Sequence, residues 1–196
     1  MSGVPSRLGR WPDMRRCGRR GKLVAVVDVP PLVVEATKKS GLVWVAVPGR
    51  PRPVAAWHVW REDSAYLVTG PGEQTVPGLA DSPSCDVTVR STDKGSRVVT
   101  WRATVSRVEP GSPEWADAVP GLLAARLNLP EAADAEQRWA ATATVLRLTP
   151  TGELPEAGPT LPTGSLAAPP PPSPARTPTP VPFTLGRRRR RRPADR

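Results

Sequence analysis

Hydrophobic and polar positions alternate with period two in two stretches of this 196-residue chain. In Cys85–Ser91 (CDVTVRS), Cys85, Val87 and Val89 fall on one side, and Asp86, Thr88 and Arg90 on the other. In Val99–Val108, Val99, Trp101, Ala103 and Val105 alternate with Thr100, Arg102, Thr104 and Ser106. Each pattern predicts an antiparallel strand with one dry face and one wet face. Leu42–Val47 (LVWVAV) is instead a continuous apolar run between Gly41 and Pro48-Gly49. Its length and its branched residues predict a buried strand. Val54–Trp60, Ala65–Thr69 and Thr142–Thr149 bring the predicted strands to six. Glu62-Asp63-Ser64 and Thr92–Gly95 read as hairpin turns.

Residues 32–40 (LVVEATKKS) predict a short helix, with Gly41 as its terminator. Ser112-Pro113-Glu114 carries a helix start: a capping hydroxyl, a proline in the first turn and an acid near the positive end. Trp115, Ala118, Val119, Leu122 and Leu123 then share one face. Pro120-Gly121 is expected to kink or split this helix. Glu131–Ala140 predicts a weaker helix. Six short antiparallel strands tend to close on themselves, because closure removes exposed edges. The expectation is a mainly β fold: a small six-stranded antiparallel barrel with flanking helices.

Charge divides the chain into three parts. Residues 1–22 carry seven basic groups and one acid, and residues 155–196 carry eight Arg and two acids. The intervening 13 basic and 15 acidic groups nearly cancel. The net charge of +10 and the high pI therefore belong to the two ends, and a basic-domain reading fails for the middle. Residues 1–31 read as a disordered basic extension, its first 22 residues open to being translated upstream sequence. Residues 32–154 read as the folded domain. Residues 155–196 read as a disordered, proline-rich linker ending in Arg187, Arg188, Arg189, Arg190, Arg191 and Arg192. Few residues in the linker can bury surface, and its proline run favours an extended spacer. The six guanidinium groups are a candidate contact for nucleic acid, polyphosphate or anionic lipid, the bland alternative being a solvated tail.

Several chemistries are excluded. The chain has no GxxxxGK[ST] and no GxGxxG after a strand. One His, His58, leaves no hydrolase triad and no zinc cluster, so no metal site is expected. Cys17 and Cys85 form no CxxC and no disulfide framework, which points to a reducing cytoplasm. No apolar run approaches the ~18 residues of a spanning helix. What remains is the segment WHVWREDSAYLVTG, residues 57–70, which holds the only His, the only Tyr and two of the seven Trp. On a strand, Val54, Ala56, His58 and Trp60 face one way, and Ala55, Trp57, Val59 and Arg61 the other. The face with His58 and Trp60 is either barrel core or a flat wall for a stacked heterocycle.

The succession LVWVAVPGRPRPVAAWHVW, SAYLVTG, a turn with PGLAD, CDVTVRS and VVTWRATVSRVEPGSPEW resembles the flavin-binding split-barrel superfamily. Within it, the chain is similar to the pyridoxamine-phosphate-oxidase-like proteins of high-GC bacteria, over about residues 32–150. The resemblance implies a split β-barrel and a homodimer that binds FMN or a deazaflavin at its interface, as an oxidoreductase would. It implies that Trp57, His58, Val59 and Trp60 line the ring, and that Thr69, Gly70 and Gln74 lie by the phosphate. The sequence departs from the family in two places. The loop Gly70–Gln74 has an acid, Glu73, and no cation, and Val54–Trp60 carries no positive charge. A phosphate wants charge-assisted donors, so Arg61, Arg90, Lys94 or Arg97 would have to supply them, or backbone N–H groups of Gly70, Gly72 and Glu73 would have to form an anion nest. The alternative is a degenerate, non-catalytic barrel acting as a dimeric binding or scaffold module.

Overall fold

The computed structural model describes residues 28–129, 134–164 and 173–174. The chain divides into two compact units, Met1–Pro162 and Thr163–Arg196, and every element below belongs to the first. Residues 1–27 and the Arg187–Arg192 run lie outside the described residues.

Helix α1 (Pro31–Lys39) leads into β1 (Leu42–Ala46), β2 (Val54–Trp57), β3 (Val59–Arg61) and β4 (Ser64–Thr69). A 3-10 turn (Leu79–Asp81) precedes β5 (Ser84–Arg90) and β6 (Arg97–Val108). Helices α2 (Pro113–Ala125) and α3 (Ala135–Thr142) then precede β7 (Thr144–Pro150) and the two-residue β8 (Glu156–Ala157). The sheet order is β2-β1-β5-β6-β7-β4-β3, antiparallel throughout. β8 is added to β6 at Val99 and Thr100. The sequence assigns Glu156 and Ala157 to the linker, since two residues show no periodicity to read.

The two ends of this order are one stretch of chain, interrupted only at His58. Trp57 pairs with Leu42 of β1, and Val59 pairs with Tyr66 of β4. The single predicted strand 54–60 therefore serves both edges of the sheet and closes it into a cylinder. This is the six-stranded antiparallel split barrel expected from the sequence, with one strand counted twice along the path.

Side-chain parity survives the break. Ala56 and His58 are buried, and Trp60 packs on the interior cluster, while Trp57 and Val59 pack on the outer one. The interior joins Val43, Val45, Val87, Trp101, Leu67 and Leu146, with Val33 of α1 contributing from outside the sheet. The second cluster lies on the other face of β4 and β7, where Tyr66, Val68 and Val145 meet Trp115, Val119, Leu122 and Trp139 of α2 and α3. Each fully buried Val or Leu contributes ~1.5–3 kcal/mol relative to exposure, so both layers are needed to hold the helices on the barrel.

The helix ends follow local chemistry. Ser112 Oγ accepts the Trp115 N–H at 3.1 Å, with Pro113 opening α2 and Glu114 in its first turn. Of the kink or split expected at Pro120-Gly121, the split does not occur, and one helix runs through it. Pro120 and Ala116, four residues earlier, are both exposed, so the carbonyl that loses its partner can turn to water. Helix α1 stops at Ser40, which is extended (φ −92°, ψ 128°), one residue before the predicted glycine.

Candidate functional site

The crossover at His58 separates the predicted site residues into an inner and an outer group. His58 is 8% exposed, and its Nε2 lies 3.1 Å from the carbonyl oxygen of Thr37 on α1. Burial pushes the imidazole pKa down, and the Thr37 contact only partly opposes this. A neutral ring with Nε2–H donating is the consistent state, leaving Nδ1 buried without a partner. Trp60 meets Trp101 edge-on, with ring centroids 6.0 Å apart and planes at 87°. His58 and Trp60 are thus part of the barrel interior, the core alternative weighed for this face.

The outer group is built around Trp57. Its backbone N–H donates to Gln74 Oε1 at 2.8 Å, and Gln74 Nε2 donates to its carbonyl oxygen at 2.8 Å. The Gln74 amide thereby takes the place of a neighbouring strand where the chain leaves β1. Beside it, Glu73 is nearly buried, with 4% of its side chain exposed. One of its carboxylate oxygens accepts from Arg126 Nε at 2.7 Å, and the other from Trp139 Nε1 at 3.1 Å. The Arg126 guanidinium sits 5.9 Å from the centroid of the Trp57 ring. Arg126 caps the C-terminal end of α2, where the helix dipole favours a cation.

The loop spends its donors internally. The Glu73 N–H donates to Gly70 O at 3.0 Å, and the Gly70 N–H to Gln74 O at 3.3 Å, so these two groups do not form the anion nest considered for this loop. Gly70 has φ +146°, and a Cβ there would lie 2.9 Å from Ala143 Cα. Its role is close packing against the α3–β7 junction. Thr69 pairs with Thr144 at the end of the β4–β7 ladder, and Val59 packs on the α2 side.

Three of the cations proposed from the sequence are engaged elsewhere. Arg61 pairs with Asp117 at 2.9 Å. Arg90 lies over the Trp44 ring and donates to Gly95 O, and Arg97 donates to Pro162 O. Lys94 lies in the hairpin loop, where its backbone N–H reaches Ser91 Oγ at 3.4 Å. The cation at the loop is Arg126, 53 residues from Glu73, and no local pattern announces it. A second cluster also escapes sequence reasoning: Tyr66 and Arg147 both donate to Glu114 Oε1, at 3.0 and 3.1 Å. Burial is the main cause that pushes the Tyr66 pKa up to about 12. It does the same for Cys85, a free buried thiol whose pKa is pushed up to about 12. Among the described residues no group of His, Cys, Asp and Glu could hold a metal, and no helix is long and apolar enough to cross a membrane.

As a test of the flavin expectation, this geometry offers part of what is needed. Trp57 supplies a half-buried aromatic ring outside the barrel, and Arg126 one cation beside it. The Gly70 and Glu73 N–H groups are spent within the loop, and Glu73 already holds that cation.

No family model matches the chain, and no curated protein does. Among solved structures, it is similar to HutZ, the heme storage protein from Vibrio cholerae, at 15% identity and a TM-score of 0.44, covering 64% of this chain and 92% of that one. It is similar to an FAD-binding protein from Mesorhizobium loti at 13% identity and 0.41, covering 61% and 85%. An F420 reductase is similar at 19% identity and 0.42, covering 60% and 91%. The cylinder closed at His58, with α2 and α3 on the outer face of β4 and β7, has the split-barrel architecture that the sequence resembles.

Proposed function

We propose that this protein is a homodimeric split barrel that holds a flat cofactor of flavin or deazaflavin type at the outer face of β2, for two-electron redox chemistry. The observation that supports the reading is the Trp57 ring with Arg126 beside it. A heteroaromatic ring needs a flat apolar surface, and its phosphate needs a cation. The surrounding outer face favours a second copy. Leu42 is 53% exposed opposite Trp57, and Trp44 stands opposite Ala55, an apolar patch of the kind that interfaces cover.

The experiment is a fluorescence titration of the full chain with FMN and with a deazaflavin, alongside light scattering for oligomeric state. A dimer with saturable binding, weakened at least tenfold in Trp57→Ala, is the expected result. Glu73→Gln should tighten binding by releasing Arg126. A chain for which neither the native protein nor Glu73→Gln binds cofactor overturns the reading.

The burial of Glu73 favours a second reading. Its carboxylate satisfies Arg126 and Trp139 together, so an incoming phosphate must displace a nearly buried ion pair. The barrel is then a non-catalytic dimeric binding or scaffold module, tethered to polyanions through Arg187–Arg192. This reading predicts retention on DNA with a log-log salt slope of about −5, lost when the Arg run is deleted, and no flavin binding by the native chain.

A further inference from the structure

We propose that the end of the barrel beneath the β1–β2 turn is a separate binding site for a small organic anion with an apolar body. A cavity of about 210 Å³ opens there, floored by Val45, Val47, Val54 and Pro77, with Arg50 and Arg52 at its rim. Val45 and Val54 face each other across the β1–β2 ladder. Val45 and Val47 are buried members of the interior cluster, so the floor is the end of the barrel core. An apolar surface of this kind gains from covering an apolar group.

The rim supplies the second half of the ligand's description. Arg61, Arg102, Arg107, Arg126 and Arg147 each pair with a carboxylate. The guanidinium groups of Arg50 and Arg52 have no such partner among the described residues, and no acid lines the cavity. The nearby Asp81 carboxylate is taken by Arg107 at 2.8 Å. The Arg50 guanidinium also lies close to Gly78. Its Nε and Nη2 lie 3.1 Å from where a Cβ on Gly78 would stand, and Gly78 has φ +79°. A side chain at Gly78 would strain the backbone and shift the guanidinium by a few tenths of an ångström.

Two guanidinium groups without a carboxylate partner beside an apolar floor favour an anion. Guanidinium forks suit the oxygens of a carboxylate or a phosphate monoester, and the valine floor suits a short chain or a single ring. The cavity is smaller than the ~300–1,000 Å³ of pockets for drug-sized ligands, which excludes anything larger from full enclosure. The site uses neither Trp57 nor Arg126 and is independent of the cofactor reading.

The test is calorimetry and methyl NMR on the full chain with hexanoate and hexyl phosphate, against hexanol and inorganic phosphate. Both organic anions should move the methyl signals of Val45, Val47 and Val54. At least one should bind tenfold or more tightly than either control, and the better of the two identifies the headgroup. The double variant Arg50→Gln/Arg52→Gln should lose tenfold or more in affinity. Both side chains are exposed, so the fold is retained and circular dichroism verifies it. Hexanol binding as well as the better of the two anions, unmoved valine methyls, or undiminished affinity in the double variant would each overturn the proposal.

Discussion

Arg126 Nε stands 2.7 Å from Glu73 Oε2, joining the loop after β4 to the end of α2. Trp139 of α3 holds the other oxygen of the same carboxylate. One acid therefore ties a loop and two helices to the barrel. Removing one partner of a fully buried pair costs ~3–5 kcal/mol, because the other charge is left unsatisfied. The Arg126 side chain keeps 22% exposure, so Glu73→Gln should cost somewhat less, about 2–4 kcal/mol. Thermal unfolding measures this. Arg126→Gln should cost less in the Glu73→Gln background than alone, and equal costs would show that the pair is not coupled.

His58 gives the fold a pH dependence. Burial depresses its pKa, so below the ordinary value of ~6.5 the unfolded chain takes up a proton that the folded chain refuses. His58 therefore subtracts nothing from stability above that pH and subtracts progressively more below it. Urea melts at pH 8 and pH 5 should show a larger loss for the native chain than for His58→Gln. Parallel losses would exclude the imidazole as the cause.

Gly70 and Gly49 separate two costs of a side chain. Both have positive φ, but only Gly70 also faces backbone, at 2.9 Å from Ala143 Cα. Gly49→Ala should cost ~1 kcal/mol, for conformation alone. Gly70→Ala adds a clash that must move the α3–β7 junction, and overpacking of this kind costs a further ~1–3 kcal/mol. Paired denaturant melts test the order, and equal costs would refute the packing role.

The β3–β4 turn is built from unfavourable residues. Glu62 and Asp63 have φ of 44° and 51°, a left-handed pair for which Asn-Gly is the favoured choice. Replacing them with Asn-Gly should stabilise the protein by about 1 kcal/mol, read as a raised melting temperature. An unchanged or lowered value would mean that their side chains contribute to the fold.

Much of the barrel could be read along the chain, because strand periodicity is local. Val87, Val89, Val99 and Trp101 take the face that alternation assigns them, and Ser112 caps the helix where its neighbours say it should. The shared parity of His58 and Trp60 was also legible, although alternation does not say whether that face looks inward or outward. The partners of Trp57 were not legible. Gln74 reaches it across 17 residues, and Arg126 reaches Glu73 across 53. Such contacts arise from tertiary packing and leave no periodic trace. The isolated pairing of Glu156 and Ala157 escapes for the opposite reason, being too short to carry a period.

The crossing at His58 has a consequence for how the molecule opens. Val54–Trp57 and Val59–Arg61 hydrogen-bond to opposite edges of the sheet, yet they are consecutive in the chain. An opening motion that peels one edge pulls directly on the other through a single residue. The two halves of the cylinder should therefore exchange their backbone amides as one cooperative unit, and the seam of the barrel is its zipper pull.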